Sequence, residues 1–336
     1  MVVSDDDVAR WNRRVVAVAN NKGGVKKTSV VVNVAGQLAA AGLKVLIVAL
    51  DTQHENAATD LGYLQRSDHG ESLAAALIDG TDTVVVVDDV RPRLDVVADG
   101  PALESVVRDH YGKVGRGERS DDDACSLLRP ALATHAPRYD LVLLDCPPGH
   151  RVLVDAALGS ARWVLIPTAT DLGSIRSMEG TARAFMAART RNPTLALLGV
   201  LLTGSGTTAT TAREHARTDI DAIFGGHAPL FDSFVRHAES PATAARSRGL
   251  LAHELERVEL DTKTSQPWYT MLRRGGRPGD SRRVWTTNSA GLSEDYQRVT
   301  RELTDRLAAA EAADGSRTTT PTQEPAAAAA GEEHPR

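Results

Sequence analysis

The stretch from residue 20 to residue 29 constrains the fold of this chain more than any other. It reads Asn-Asn-Lys-Gly-Gly-Val-Lys-Lys-Thr-Ser, follows a short apolar run (residues 15–19) and precedes an apolar, helix-like stretch (residues 30–41). A glycine-rich turn between a buried strand and a helix is the setting of a phosphate-binding loop. Backbone N–H groups in such a turn, and the positive end of the helix, hold an anion. The sequence therefore predicts that nucleotide phosphates bind here.

Two side chains of this loop carry specific expectations. Lys27 is placed to reach the β- and γ-phosphates, and the Thr28 hydroxyl is placed to hold Mg²⁺. Taken by itself, the loop also fits a glycine turn with a solvated lysine pair. The residues that we expect to contact ATP are Lys22, Gly23, Gly24, Val25, Lys26, Lys27, Thr28 and Ser29.

The loop departs from the G-x-x-x-x-G-K-[ST] pattern, because Asn21 and Lys26 stand at its two glycine positions. Glycine at the second position would permit a positive φ, and a residue with a Cβ loses roughly 1–2 kcal/mol in that left-handed conformation. We therefore expect Lys26→Gly to increase ATP affinity or turnover.

A second landmark is the continuously apolar run over residues 44–51, which ends in Asp51. Such a run is typical of a strand that is buried on both faces of a parallel sheet. Ligands of such sheets bind at the carboxyl ends of the strands, so Asp51 is expected beside the phosphate loop. The alternative is an ordinary solvated carboxylate at a strand end.

A third landmark lies at residues 139–149, where four apolar residues are closed by Asp145 and followed by the turn Cys146-Pro147-Pro148-Gly149. An apolar strand that ends in aspartate is typical of a Walker B segment. Its carboxylate is the kind of hard oxygen that suits Mg²⁺. We expect Asp145 to act on the metal through a bound water.

Together the three segments resemble the ParA/MinD family of P-loop ATPases, with their deviant Walker A pattern K-G-G-x-G-K-[ST], their D-x-D-P-Q strand end and their D-x-P-P turn. The resemblance runs from residue 15 to residue 248 and resumes at the last helix. Lys22 matches the signature lysine, and Asp51 matches the second aspartate. Ala49 and Thr52 stand where the first aspartate and the proline are usual.

The resemblance implies an α/β fold, with a mostly parallel sheet and helices on both faces. It implies a slow ATPase that binds Mg²⁺ and ATP and forms a homodimer on binding them. Lys22 would cross to the partner's phosphates, and Asp51 would orient the attacking water, with Lys22, Lys27 and Asp51 as the catalytic set. The dimer would bind DNA nonspecifically and act in plasmid or chromosome partitioning with a ParB-like activator, in the cytoplasm at the nucleoid.

Two other functions are open at this stage. Because Lys26 and Ala49 are both off the family pattern, the chain could be a nucleotide-binding regulator or scaffold that does not hydrolyse ATP. A MinD-like membrane-associated ATPase ranks below both, since that function predicts a basic amphipathic helix near the C-terminus, which the Ala- and Glu-rich residues 322–333 do not supply.

The charge distribution bears on DNA binding. The chain has a formal net charge of −5, which argues against a globally basic nucleic-acid binder but not against a local basic patch. The alternative for each arginine is a surface ion pair, and phosphate contacts would show as salt-dependent binding. The candidate contacts are Arg213, Arg217, Arg236, Arg246, Arg248 and the arginines of residues 273–283.

Composition divides the 336 residues into five parts. We expect a flexible N-terminus (1–14), an ATPase domain (15–251), an Arg/Gly/Trp-containing insertion or lid (252–291), a C-terminal helix packed on the ATPase domain (292–312) and a disordered tail (313–336). No apolar run approaches the length of a membrane span, so no membrane partner is expected.

Overall fold

Eight strands form one sheet. They are β1 (Val15–Val18), β2 (Val45–Ala49), β3 (Val86–Arg91), β4 (Leu94–Val97), β5 (Leu141–Asp145), β6 (Trp163–Thr168), β7 (Ala196–Ser205) and β8 (Leu230–Arg236). The computed structural model describes residues 5–226, 229–265 and 289–318. The strand order is β3-β4-β2-β5-β1-β6-β7-β8, and every neighbouring pair is parallel except β3 with β4. The predicted mostly parallel sheet is confirmed.

The helices of the described residues connect these strands. They are α1 (Asp5–Trp11), α2 (Lys27–Ala40), α3 (Asn56–Leu61), α4 (Glu71–Asp79), α5 (Glu104–Gly115), α6 (Arg129–His135), α7 (Arg151–Ser160), α8 (Leu172–Arg189), α9 (Thr210–Ile223), α10 (Glu239–Arg246), α11 (Ala252–Ser265) and α12 (Ala290–Thr318). Short 3-10 turns lie at Asn12–Arg14, Leu64–Arg66, Pro101–Leu103, Asp121–Ser126 and Ala136–Arg138.

The strands are buried on both faces, as their continuous apolar runs predict. Successive residues of a strand point to opposite faces. Val15 and Ala17 belong to a cluster completed by α4 to α9, whereas Val16 and Val18 belong to a second cluster completed by α2, α3 and α12. Helices therefore cover both faces of the sheet, and the expected fold class is confirmed.

The topology fixes where a ligand can bind. β1 lies between β5 and β6, and β5 separates it from β2. The chain thus leaves β1 on one side of the sheet for β2 and later returns on its other side for β6. Ligands of open α/β sheets bind at the carboxyl ends of the strands where the order reverses. The phosphate loop leaves β1 at this point, with the ends of β2 and β5 beside it.

The N-terminal part differs from the loose segment expected for residues 1–14. Residues Asp5–Trp11 form a helix, and a 3-10 turn continues it to β1. Acidic and basic residues dominate this stretch and made it look solvated. Val8 and Asn12 are nevertheless buried, and the Asn12 amide donates to the Thr194 hydroxyl at 3.0 Å. The buried Val8 and the hydrogen bond from Asn12 to Thr194 thus hold the segment against the domain.

The C-terminal part also differs from expectation in its boundaries. The first residues of the expected insertion form α11, where Leu255 is fully buried. The Arg/Gly/Trp-rich stretch itself (266–288) lies outside the described residues. The last helix, α12, packs against β8, α2 and α11 and continues to Thr318, six residues into the expected tail. Residues 319–336 lie outside the described range.

A buried row of side chains shows why α12 is held on the domain. Tyr296, Val299 and Leu303 recur at helical spacing, and each is almost completely buried.

Within the described residues, no helix has the length and apolar character needed to cross a membrane.

Candidate functional site

The loop between β1 and α2 is fixed to the ends of two neighbouring strands. The Asn20 side chain accepts the Lys22 backbone N–H at 2.9 Å and donates to the Pro167 carbonyl at 2.8 Å. The Thr203 hydroxyl donates to the Val25 carbonyl at 3.1 Å. Because Pro167 and Thr203 lie in β6 and β7, the sheet itself holds the loop in shape. Gly24 then adopts φ 78°, a conformation that favours glycine.

Lys26 adopts the left-handed conformation that the sequence predicts for this position, with φ 62° and ψ 29°. Its side chain runs toward the end of β7, where its Cε lies 3.8 Å from the place that a Cβ on Gly204 would occupy. Burial lowers the pKa of its ammonium group. Lys26 thus adds a partly desolvated cation to the loop at the position where a glycine is usual.

Lys27 begins α2 and points back into the loop. Its Nζ donates to the Lys22 carbonyl at 3.0 Å, and the residue is 7% exposed. Burial lowers the pKa of Lys27, while the nearby charges of Asp145 and Asp51 act in the opposite direction. A cation held at the helix N-terminus between two carboxylates is suited to bind a phosphate group.

Asp145 ends β5 beside Thr28. The Thr28 side chain hydrogen-bonds the Asp145 carboxylate, and Asp145 Oδ1 has no hydrogen-bond partner among the described residues. Burial raises the pKa of this carboxyl to about 7. An unsatisfied buried carboxylate oxygen costs free energy, and a divalent cation or its bound water would satisfy it. The donor set of Thr28 and Asp145 therefore fits Mg²⁺.

Asp51 lies two residues after the end of β2, is 8% exposed and accepts two side-chain hydrogen bonds. Its Oδ1 accepts the Gln53 backbone N–H at 2.9 Å, and its Oδ2 accepts the Asn56 side-chain amide at 3.2 Å. Backbone and amide donors of this kind hold a carboxylate in one orientation. The sequence predicted the place of Asp51 but gave no indication of Asn56.

These groups surround one cavity of about 400 Å³. The glycines and cations of the loop meet two strand-end carboxylates there, so the cavity suits an anion that carries a metal ion. The cavity is also lined by residues that the sequence did not indicate, because they belong to no local sequence motif. Its lining consists of Gly23, Gly24, Lys26, Lys27, Thr28, Ser29, Asp51, His54, Asn56, Asp60, Asp145, Cys146, Pro148 and Arg246.

Lys22 lies outside this cavity lining and is held within its own chain. Its Nζ lies 2.8 Å from Asp171 Oδ1 and 2.8 Å from Ser174 Oγ, at the start of α8. The hydrogen bond from Lys22 lowers the pKa of Asp171 to about 2, with help from the Ser174 hydroxyl. Asp171 also caps α8 by accepting the Ser174 N–H at 3.0 Å. The signature lysine is thus fixed by residues about 150 positions away that no local pattern reveals.

The arginines predicted to contact DNA occupy several different environments. Arg213 donates to the Gly206 carbonyl at 2.6 Å and stacks over Phe234. Arg217 donates to the Phe231 carbonyl at 2.8 Å. Arg236 forms a two-point ion pair with the buried Asp295.

Of the other DNA candidates, Arg246 lines the cavity described above and Arg248 is exposed. The cluster at residues 273–283 lies outside the described part of the chain. Among the described candidates, Arg213 and Arg217 contact β8, Arg236 belongs to β8, and Arg246 lies at the cavity instead.

The fold and the cavity define a P-loop nucleotide-binding protein with a deviant Walker A loop. A family model described as an AAA domain matches residues 13–195. The chain is 32% identical over 235 residues to the chromosome partitioning protein ParA of Caulobacter vibrioides, covering 68% of this chain and 84% of that protein. The chain belongs to the ParA/MinD-type family of P-loop ATPases.

Two solved structures share the fold. A variant of McdA from Cyanothece in complex with ATP has a TM-score of 0.61 at 17% identity, covering 74% of this chain and 93% of that one. Cobyrinic acid a,c-diamide synthase from Mycobacterium smegmatis, with a bound ATP analogue and magnesium, has a TM-score of 0.55 at 26% identity, covering 70% and 92%.

Proposed function

We propose that this protein binds Mg-ATP in the cavity beside α2, dimerises on it, hydrolyses it slowly and acts in plasmid or chromosome partitioning. The observation that carries the proposal is the meeting of Lys27, Thr28, Asp51 and Asp145 on one cavity at the reversal point of the sheet. Phosphoryl transfer to water needs little beyond positioning and charge neutralisation. These four side chains supply both.

Each residue has a separate task in this scheme. Lys27, already desolvated, would pair with the terminal phosphates, and the backbone N–H groups of the loop would donate hydrogen bonds to the phosphate oxygens. Asp51, held by Gln53 and Asn56, would orient the attacking water. Thr28 and Asp145 would hold Mg²⁺, which neutralises charge on the phosphates when bound. No covalent intermediate with the protein is needed.

The comparisons support the ligand and the process. The McdA structure contains ATP, and the cobyrinic acid a,c-diamide synthase structure contains an ATP analogue and magnesium. The ParA relative is a chromosome partitioning protein. Dimerisation, nonspecific DNA binding, a ParB-like activator and a nucleoid location in the cytoplasm follow from membership in this family and are part of the proposal.

The decisive experiment is ATP hydrolysis by the purified chain, with and without nonspecific DNA. We expect slow turnover that Lys27→Ala and Asp51→Ala each abolish. Asp305→Ala, which removes an exposed carboxylate on α12, is the matched control and should keep the turnover of the parent. ATP binding that survives Lys27→Ala would contradict the proposal, because burial and position make this lysine the main cation for the phosphates.

A second function is favoured by Ala49 and Lys26. Ala49 is fully buried at the end of β2, where the family pattern has a carboxylate, and Lys26 occupies a position that usually has glycine. A regulator that binds ATP without hydrolysing it would show Lys27-dependent ATP binding and no turnover. The hydrolysis experiment therefore separates the two functions.

DNA binding has its own test. Phosphate contacts release counterions, so affinity should fall linearly with salt on a logarithmic scale. We expect binding that requires Mg-ATP and weakens steeply between 50 and 200 mM salt, roughly as for proteins with several phosphate contacts. Arg213→Gln, Arg217→Gln and Arg248→Gln, tested singly, should show which arginines contribute. Affinity that is independent of ATP and of salt would rule out this part of the proposal.

A further inference from the structure

Arg246, the last residue of α10, reaches across to α3 at the edge of the nucleotide cavity. Its Nη2 donates to Asn56 Oδ1 at 2.5 Å, and its Nε lies 3.5 Å from Asp60 Oδ1. All three residues line the cavity. The Arg246 side chain is about half exposed, whereas the Asp60 side chain is 12% exposed. The contacts of Arg246 thus face the cavity rather than the outer surface of the domain.

Asn56 connects Arg246 to Asp51 through a second hydrogen bond. The Asn56 amide nitrogen donates to Asp51 Oδ2 at 3.2 Å, while its amide oxygen accepts from Arg246. A guanidinium has only donors, and an ionised carboxylate has only acceptors. One orientation of the Asn56 amide satisfies both neighbours, and the flipped amide would satisfy neither. Arg246 therefore determines which end of Asn56 faces Asp51.

We propose that Arg246 is a positioning residue of the nucleotide site, which acts through Asn56 to hold the Asp51 carboxylate toward the attacking water. This inference rests on the proposed ATP hydrolysis. It also changes the role expected for Arg246, which the sequence alone placed among the DNA contacts. Asp60 lies on the same helix as Asn56 and holds the guanidinium over α3, where Arg246 reaches Asn56.

The arrangement differs from an ordinary surface ion pair. An exposed pair contributes little to stability, and it would not connect to a residue that the reaction needs. Here three consecutively hydrogen-bonded residues lead from α10 to Asp51, and the first two of them, Arg246 and Asn56, are 190 residues apart in sequence. A purely structural role would hold α10 against α3 and leave the rate per folded molecule unchanged.

The test is single-turnover hydrolysis of ATP by the full chain, with ATP affinity and thermal stability measured in parallel. Loss of one positioning hydrogen bond should slow hydrolysis about tenfold in Arg246→Gln and in Asn56→Ala. The double variant should be no slower than Asn56→Ala, because the two residues act in series. ATP affinity should change less than about threefold, since neither residue is assigned to the phosphates.

Two further variants make the test specific. Arg246→Lys keeps one cationic donor and should recover part of the lost rate. Arg301→Gln removes an exposed arginine on α12 and should hydrolyse ATP like the parent.

Each other outcome overturns the inference in a recognisable way. An unchanged rate with a lower melting temperature would make Arg246 a structural residue. An unchanged rate without DNA, together with weaker and less salt-dependent DNA binding, would make it a DNA contact. A parent chain that binds ATP but hydrolyses no faster than Lys27→Ala would overturn it too, and would support the regulator. Failure of the proposed function itself would appear separately, as absence of Lys27-dependent ATP binding.

Discussion

Replacing Lys26 with glycine should raise the stability of the unliganded protein, because Lys26 is held at φ 62° and ψ 29°. A residue with a Cβ is disfavoured in this region by roughly 1–2 kcal/mol. Glycine avoids that cost, although its freer unfolded chain offsets about 0.5–1 kcal/mol of the gain. The net gain is therefore on the order of 1 kcal/mol. For a chain of 336 residues this corresponds to a rise of about 1–2 °C in melting temperature.

The comparison that isolates the backbone is Lys26→Gly against Lys26→Ala. Both variants remove the ammonium group, whose pKa burial already lowers, but alanine keeps the Cβ. Lys26→Asn should fall between them, because asparagine tolerates the left-handed region better than other residues with a Cβ. Melting curves followed by circular dichroism without nucleotide give the three values. If Lys26→Ala is as stable as Lys26→Gly, the conformation carries no measurable strain and the reasoning is refuted.

The structure changes what Lys26→Gly is expected to do to ATP binding. The sequence alone predicted a gain in affinity or turnover. Lys26 has the left-handed conformation in the structure, and strain that is common to the free and the bound protein cancels from the binding equilibrium. Lys26→Ala and Lys26→Gly should then bind ATP with equal affinity. If both variants bind ATP with the same altered affinity relative to the parent, that change in affinity measures the contribution of the lysine's charge.

Three further predictions concern charged groups. Burial raises the pKa of Asp60 to about 6. Between about pH 4 and pH 6 the folded protein therefore keeps a proton on Asp60 that the unfolded chain has released, so the free energy of unfolding falls as the pH rises through this range. Asp60→Asn should thus gain up to ~3 kcal/mol at pH 7 and nothing near pH 4, and a gain independent of pH in thermal melts would contradict this. Asp171→Asn keeps a helix cap but removes the ion pair that holds Lys22 within its own chain. Because Lys22 is then free to cross to the partner's phosphates, dimer formation with Mg-ATP should be promoted by up to about fivefold. An unchanged dimerisation constant in analytical ultracentrifugation would argue against this role of Asp171. Asp295→Ala leaves Arg236 without its buried partner and should lower the free energy of unfolding by about 3 kcal/mol. Urea denaturation measures this loss, and a value below about 0.5 kcal/mol, which is typical of surface substitutions, would contradict the prediction.

The sequence was sufficient for those features that local patterns encode. Runs of apolar residues such as residues 44–51 predicted strands buried on both faces. The loop at residues 20–29 predicted where a cavity lies at the edge of the sheet. The resemblance to P-loop ATPases implied a mostly parallel sheet, whereas the order of its eight strands became known only from the structure. Lys27, Thr28, Asp51 and Asp145 meet at one cavity because each lies at a strand end or helix start, and that position can be inferred from sequence.

Contacts between distant residues could not be predicted in this way. Lys22 meets Asp171 across 149 residues, and Arg246 meets Asn56 across 190. An arginine or an aspartate on a helix surface has the same local pattern whether it contacts solvent or a site. The packing of α10 against α3 determines that Arg246 contacts the site rather than solvent, and that packing depends on the whole sheet.

Departures from a family pattern show the same limit. Thr52 stands where the pattern has proline, a residue that would fix the backbone after Asp51. In the structure the Thr52 hydroxyl donates to Glu104 Oε1 at 3.1 Å and meets His150 Nε2 at 3.0 Å. Because the hydroxyl has one proton and gives it to the carboxylate, Nε2 must carry the hydrogen of the imidazole. The loop after β2 is thus tied to α5 and to the turn after β5, so side-chain hydrogen bonds replace the restraint of a ring. A missing pattern residue is therefore not evidence of a lost site until the residues packed around it are known.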